Sequence, residues 1–307
     1  MTTAIEVPEV VVAGGYLYRP QPSYFDDEAA QQQIFGELLG NDTLRRLDAF
    51  SQCALFAVEH ARRAAGVTAP STVAVAERHG VCVGTGLGAQ ATRVRYSKRL
   101  ARSGPSATNP IDFPDSIDGA AAAHIAMRWG LRGPSLTFVD GSGTAENAIV
   151  AACRQIAFGR ADRMYLVVGD IHEPWMRRSI GETVGPSDTP MTATGHTPPA
   201  GPIDAVLALV LQILDRSRRA DDQTRVSGFF GVPTESEDHC LFRDLTPPES
   251  DRFDFSGALQ AGGAWLEVMA PMGSTVRSCQ DGPVIGLCSR VNPATHSRLA
   301  FWRRVNK

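Results

Sequence analysis

Apolar positions along this chain alternate between short, unbroken runs and runs spaced three and four apart. Val10-Val-Val-Ala13 is apolar throughout and predicts a buried strand closed by a turn at Gly14-Gly15. A looser stretch follows through Pro20, Pro22 and Asp26-Asp27. From Asp42, the residues Leu44, Leu47, Phe50, Ala54, Val58 and Ala61 recur at helical spacing, and Gly66 ends that run. Thr72 to Ala76 reads as a strand, and Gly80 to Gly84 as a more deeply buried one. A basic helix is predicted over Arg93 to Arg102, broken by Gly104-Pro105, and an alanine-rich helix over Ile117 to Trp129, stopped by Gly130. Leu136 to Val139 is a strand. Thr144 to Phe158 is a helix with Ala148, Ile149, Ala152 and Ile156 on one face, and Met164 to Val168 is another all-apolar strand.

The second half is less regular. Residues 185–202 read as a loop rich in Pro, Thr and Gly, Ala205 to Leu211 as a strand, and Val226 to Val232 as a strand interrupted by glycine. Residues 233–252 read as a polar loop, Ser256 to Met269 as a short helix, and Val284 to Cys288 with Leu299 to Trp302 as a terminal hairpin. Strands that are apolar on both faces and alternate with helices imply an α/β layered fold.

Composition narrows the class. The chain has 307 residues, 43% hydrophobic and 21% charged, which is too apolar for a disordered polypeptide. No apolar run approaches the roughly 20 residues of a membrane helix, and the first residues carry neither a basic nor an apolar leader segment. The expectation is a cytoplasmic protein with no membrane partner. A net charge of -3 disfavours nucleic acid. None of the six cysteines forms a CxxC pair or stands at zinc spacing from a histidine, so four of them read as small apolar core residues and no metal is expected. Gly84-Thr85-Gly86-Leu87-Gly88 lacks GxGxxG spacing and reads as a structural turn, with no dinucleotide cofactor.

Several segments resemble, in order, the β-ketoacyl synthase family of the thiolase fold. Val10-Val-Val-Ala-Gly14 resembles its opening strand, and Arg45-Arg-Leu-Asp-Ala-Phe-Ser-Gln52 the "RRMDRFSQ" start of its first long helix. Gly84-Thr-Gly-Leu-Gly88 is similar to its glycine turn. Asn109-Pro-Ile-Asp-Phe-Pro114 and Gly130-Leu-Arg-Gly-Pro-Ser-Leu-Thr137 resemble the run before its nucleophile. Gly159-Arg-Ala-Asp162 and Val167-Val-Gly-Asp170 resemble the run after that nucleophile. The resemblance covers about residues 8–172. It implies a thiolase-like layered α-β-α-β-α fold with an abbreviated second half: a ketosynthase-like half over 1–184 and a shortened half over 185–307, packed as one compact unit.

The departures concern chemistry. Aligning Gly133-Pro-Ser-Leu-Thr137 with the family's "GPNLT" puts Ser142 where the nucleophilic cysteine stands. The "HGTGT" histidine loop has no counterpart, and the family's second histidine would fall near Gly257. A condensing enzyme needs a thiolate at a helix N-terminus and donors for the developing enolate. A serine hydroxyl is not ionised at neutral pH and needs a base.

Ser142 therefore has three readings: a helix N-cap, an acyl-accepting nucleophile on a strand-to-helix turn, or a small residue lining an acyl tunnel. Gly143 and Thr144 fit all three. His172, His239 and His296 are the candidate bases, each with a structural or surface role as its alternative, and Asp140 and Glu146 flank the serine. Arg93, Arg95, Lys98 and Arg99, with Arg102, form either a solvated helix face or a docking patch for an acidic acyl carrier protein. Phe113 joins the candidate substrate-binding residues.

The resemblance implies a ketosynthase-like subunit that does not condense and that shapes the acyl pocket of a partner ketosynthase, as a chain-length factor does. Its partners would be that full-length ketosynthase or a second copy of this chain, and an acyl carrier protein. Phosphopantetheine-bound acyl groups would be the substrate. The alternative is a self-sufficient serine-dependent acyltransferase or thioesterase acting on carrier-bound acyl groups, with Ser142 as nucleophile.

Overall fold

Strand β2 (His79–Gly84) is buried at every position, and the strands on either side of it explain why. In the computed structural model it pairs in parallel with β3 (Ser135–Phe138) on one side and β4 (Arg163–Asp170) on the other. The described residues are 10–18, 20, 28–40, 47–110, 112–139, 144–172, 175, 204–213, 224–230, 276–278, 284–289 and 297–304. They form one nine-stranded sheet in the order β3-β2-β4-β5-β1-β6-β9-β8-β7. Here β1 is Val10–Tyr18, β5 Ala205–Ile213, β6 Thr224–Phe230, β7 Val276–Ser278, β8 Val284–Ser289 and β9 Ser297–Arg304. From β4 to β7 every neighbouring pair is antiparallel.

Side chains alternate across β4. Tyr165 and Val167 face a core shared with α2 (Ala49–Ala64) and α5 (Ala120–Trp129), while Met164, Leu166 and Val168 face α6 (Thr144–Ala157). Both faces are covered, so the strand reads as a continuous apolar run. The α/β class expected from the sequence holds, and so do the elements from β2 to β5. Among the described residues, no helix is long and apolar enough to cross a membrane.

Four local readings are corrected. Gly14-Gly15 is not a turn: β1 runs through it to Tyr18, with an irregular register between Val12 and Gly14. Gly14 is needed for close packing, because a Cβ there would lie 2.5 Å from the Ala65 nitrogen at the end of α2. The looser stretch contains a helix, α1 (Glu28–Leu39), held through Phe35 and Leu39, which are buried. The helix expected from Asp42 begins at Ala49, after residues 41–46, which lie outside the described set. Thr72–Ala76 is not a strand but a short helix, α3 (Val73–Glu77), whose cap Thr72 accepts the Val75 N–H.

Asp48 explains where α2 starts. Its Oδ1 accepts the Phe50 N–H at 2.9 Å and its Oδ2 the Thr92 N–H at 3.0 Å, in the first turn of α4 (Gln90–Ser103). One buried carboxylate thus caps one helix and fastens the next. The terminal hairpin is found as β8 and β9, with β7 as an unanticipated third strand. The helix expected over Ser256–Met269 and the loops expected over 185–202 and 233–252 lie outside the described residues.

Gly169 sets the join between β4 and β5. Its φ is +149°, and a Cβ would overlap the Ala205 carbonyl oxygen. Gly169→Ala is expected to cost about 3 kcal/mol. Gly159→Ala, left-handed but in open space, is expected to cost only about 1 kcal/mol. Urea unfolding of both variants measures the difference.

Candidate functional site

The parallel strands end together. Gly84 of β2 lies between Phe138 of β3 and Val168 of β4, and the chain leaves β2 through the turn Thr85–Gly88. Open α/β sheets place ligand sites beyond such carboxyl ends. A Cβ on Gly84 would stand 2.8 Å from the Ala148 Cβ and 3.0 Å from the Thr144 carbonyl oxygen, so α6 begins directly against this end.

Asp170, the last residue of β4, holds the turn. Its Oδ1 accepts the Thr85 hydroxyl at 2.6 Å and the N–H groups of Gly86 and Leu87 at 2.9 Å each. Thr85 Oγ1 in turn accepts the Gly88 N–H at 2.8 Å. Burial pushes the Asp170 carboxyl above the usual carboxylate range, against the pull of those donors and of His172 nearby.

Asp170 pairs with Ala205 across β4 and β5, which brings Asp204 beside His172. Asp204 Oδ1 accepts the His172 backbone N–H at 2.7 Å and lies 2.8 Å from His172 Nδ1. The two side chains are 12% and 3% exposed, so the pair is largely withdrawn from water. A carboxylate on Nδ1 favours the proton on that nitrogen.

Of the site residues read from the sequence, His172 gains a carboxylate partner at this end. Thr144 is fully buried at the start of α6. Ser142, Gly143, Asp140, His239 and His296 lie outside the described residues, as does the Glu146 side chain. Phe113 is exposed, its ring 5.8 Å from that of Tyr96.

The basic face of α4 is partly neutralised. Arg93 pairs with Asp118, and Arg99 and Arg95 reach Asp112 at 3.3 and 4.0 Å. Lys98 and Arg102 are exposed and have no such carboxylate among the described residues. Cys53, Cys82 and Cys153 are buried, and burial pushes all three thiols up, that of Cys153 to about 12. None of the three supplies a thiolate near neutral pH.

Asp170, Thr85 and Asp204 were not among the residues singled out from the sequence. One signal was available: Asp170 is a carboxylate closing a run that is otherwise apolar.

Residues 12–175, a little over half the chain, match the family model for the beta-ketoacyl synthase, N-terminal domain. Nodulation protein E of Rhizobium sp. (strain N33) is 35% identical over 119 residues, 38% of this chain and 29% of that protein. The 3-oxoacyl-[acyl-carrier-protein] synthase 2 of Coxiella burnetii (strain RSA 493 / Nine Mile phase I) is 30% identical over 151 residues, 46% of this chain and 35% of that protein. The matched region thus spans about a third of the length of these curated relatives.

Among solved structures, the ishigamide ketosynthase/chain length factor matches with a TM-score of 0.59 at 15% identity, over 97% of this chain and 100% of that one. A type II PKS ketosynthase, in complex with its acyl-carrier protein and bound to the hexaketide, matches with a TM-score of 0.53 at 19% identity, over 73% and 70%. At these identities the likeness establishes the fold, and it bears out the thiolase-like expectation.

Asp170 makes a pH prediction. Its folded pKa is raised, so the stability it contributes is full below the unfolded carboxylate value and is lost as pH rises through the higher folded value. The stability advantage of the wild type over Asp170→Asn should be greatest in acid and decline across that window to a plateau. Urea titrations at a series of pH values read it directly.

Proposed function

The chain belongs to the β-ketoacyl synthase family, and on that footing we propose that it acts as a non-condensing subunit of polyketide or fatty-acid biosynthesis. It shapes the acyl-chain pocket of a partner ketosynthase in the manner of a chain-length factor. The observation that carries this reading is the likeness to a ketosynthase/chain length factor over nearly the whole of both chains. The sequence supports it, because serine replaces the family's cysteine at residue 142 and neither family histidine has a counterpart. Carbon–carbon bond formation without a thiolate or enolate donors lacks its main electrostatic support.

The partners are argued from the surface. Strand β3 is an edge of the sheet among the described residues. Phe113, Ile117 and Met127, from the segments leading to β3, and Val139, just after it, are exposed apolar side chains. An edge of this kind serves either a ketosynthase partner in a pseudo-symmetric pair or a second copy of the chain. The acyl chain arrives on a phosphopantetheine arm of an acidic carrier protein, steered by Lys98 and Arg102. A neighbour seen with its acyl-carrier protein supports that partner. The reading calls for no metal or organic cofactor in this chain.

Co-expression with a candidate full-length ketosynthase tests the proposal. The two chains should purify together, and the pair should elongate a malonyl-loaded carrier whether residue 142 is serine or alanine. Replacing both Ile117 and Met127 with Glu should reduce co-purification at least tenfold without unfolding the chain, since both side chains are exposed. Elongation by this polypeptide alone would overturn the proposal.

A further inference from the structure

We propose that His79 is an acid-sensitive latch: taking up a proton drives its ring away from Arg163 and loosens the joined starts of β2 and β4. The inference does not rest on the subunit role, and it concerns the end of the sheet opposite Asp170.

Three observations carry it. The first is donor geometry. His79 opens β2 and pairs in register with Arg163, which opens β4. His79 Nε2 lies 3.4 Å from Arg163 Nη1. A guanidinium only donates, so Nε2 is the acceptor and the ring is neutral. Arg163 is itself held, since its Nη2 donates at 3.0 Å to Oε1 of Gln212, its register partner on β5. A proton on Nε2 would set N–H against N–H and cation against cation. Nδ1 has no hydrogen-bond partner among the described residues, so neither nitrogen of an imidazolium would meet an acceptor there.

The second is enclosure. His79 is 6% exposed. Its ring stands 6.5 Å from that of Tyr165, edge to face, and its carbonyl accepts the Gly133 N–H at 2.9 Å. Burial pushes the imidazole below its ordinary range and Arg163 pushes the same way, against the pull of Asp162.

The third is that the nearby carboxylates are engaged. Asp162 pairs with Arg78, whose Nη2 and Nε reach it at 2.5 and 3.1 Å. Glu59 of α2, whose charge reaches Tyr165, takes Arg62, Arg63 and the Trp129 indole N–H. Glu77 and Arg132, on the segments beside His79, are exposed to solvent.

His79 is neutral in the fold and takes a proton in the ordinary imidazole range once released. The stability it contributes is therefore full above that range and is lost as pH falls through it toward the lower folded value. The backbone bonds closest to the latch are Asp162 N–H to the Arg78 carbonyl, at 2.8 Å, and Gly133 N–H to that of His79. They are the first to open. His60 on α2, stacked on Tyr16, also has its imidazole pushed down by burial, so the difference between wild type and a His79 variant isolates the latch.

The test uses the purified full chain, with imidazole NMR titration and amide hydrogen exchange across pH. The His79 ring, identified by loss of its signals in His79→Gln, should titrate below the ordinary imidazole range. Arg163→Gln should bring that titration back toward it. Protection of the Asp162 and Gly133 amides should fall about tenfold per pH unit within the window in the wild type and stay level in His79→Gln. The Gly86 and Leu87 amides, held by Asp170 at the far end, should show no difference between the two proteins.

A His79 ring that titrates at or above the ordinary range in the wild type would overturn the proposal, whether or not the variants fold. Equal pH dependence of the Asp162 and Gly133 amides in wild type and His79→Gln would overturn it as well. Neither result bears on co-purification with a ketosynthase, so the two proposals fail separately.

Discussion

The carboxylate of Asp170 is buried at the end of a strand that is apolar for most of its length, and that placement constrains everything around it. A buried charge or carboxyl group without partners costs several kcal/mol, so the donors that meet it are obligatory. They come from the turn after β2: one hydroxyl and two backbone N–H groups. The turn is therefore fixed relative to β4 as well as to its own strand. Gly169, immediately before, has the one conformation that lets β4 pass the Ala205 carbonyl, which fixes β5 in turn. His172, just after β4, and Asp204, just before β5, flank this knot, brought together by the pairing of Asp170 with Ala205.

The chemistry open to this rigid end depends on which polar atoms it presents. Family enzymes rely on a soft nucleophile, and the three buried thiols described here are held in their neutral form by desolvation. A hydroxyl nucleophile, whether of water or of a side chain, needs a base at hand. Antiparallel pairing of β4 with β5 sets His172 against the Asp204 carboxylate.

The legible and illegible parts of the chain differ in a physical way. Strands β2, β4 and β5 could be read because burial on both faces erases the polar alternation, and α6 because Ala148, Ile149, Ala152 and Ile156 keep strict helical spacing. Helix α1 could not be read. Its buried anchors are Phe35 and Leu39, and the ring of Phe35 meets Tyr18 and Phe56, which belong to other elements. Gly14-Gly15 misled because glycine marks close approach as often as it marks turns, and only the neighbour, here α2, distinguishes them. Ser142, placed through a motif, lies outside the described residues. The partnership of His172 with Asp204 was not legible, because it spans 32 residues and depends on a strand register that no local pattern encodes.

Charge patterning repeats that lesson at the surface. Five basic residues along α4 read as a strong positive face, yet Arg93, Arg95 and Arg99 answer to Asp118 and Asp112 from the segment packed beside them. The basic residues left without such a carboxylate among the described residues are Lys98 and Arg102. Four exposed apolar side chains lie near β3: Phe113 and Ile117 on the segment before α5, Met127 on α5, and Val139 just after the strand. Strand β3, Ser-Leu-Thr-Phe, is protected against pairing by its shortness, four residues, and by neither charge nor proline. Such an edge is stable against aggregation when another surface completes it, and the exposed apolar side chains around it supply the contact area that edge hydrogen bonds alone would lack.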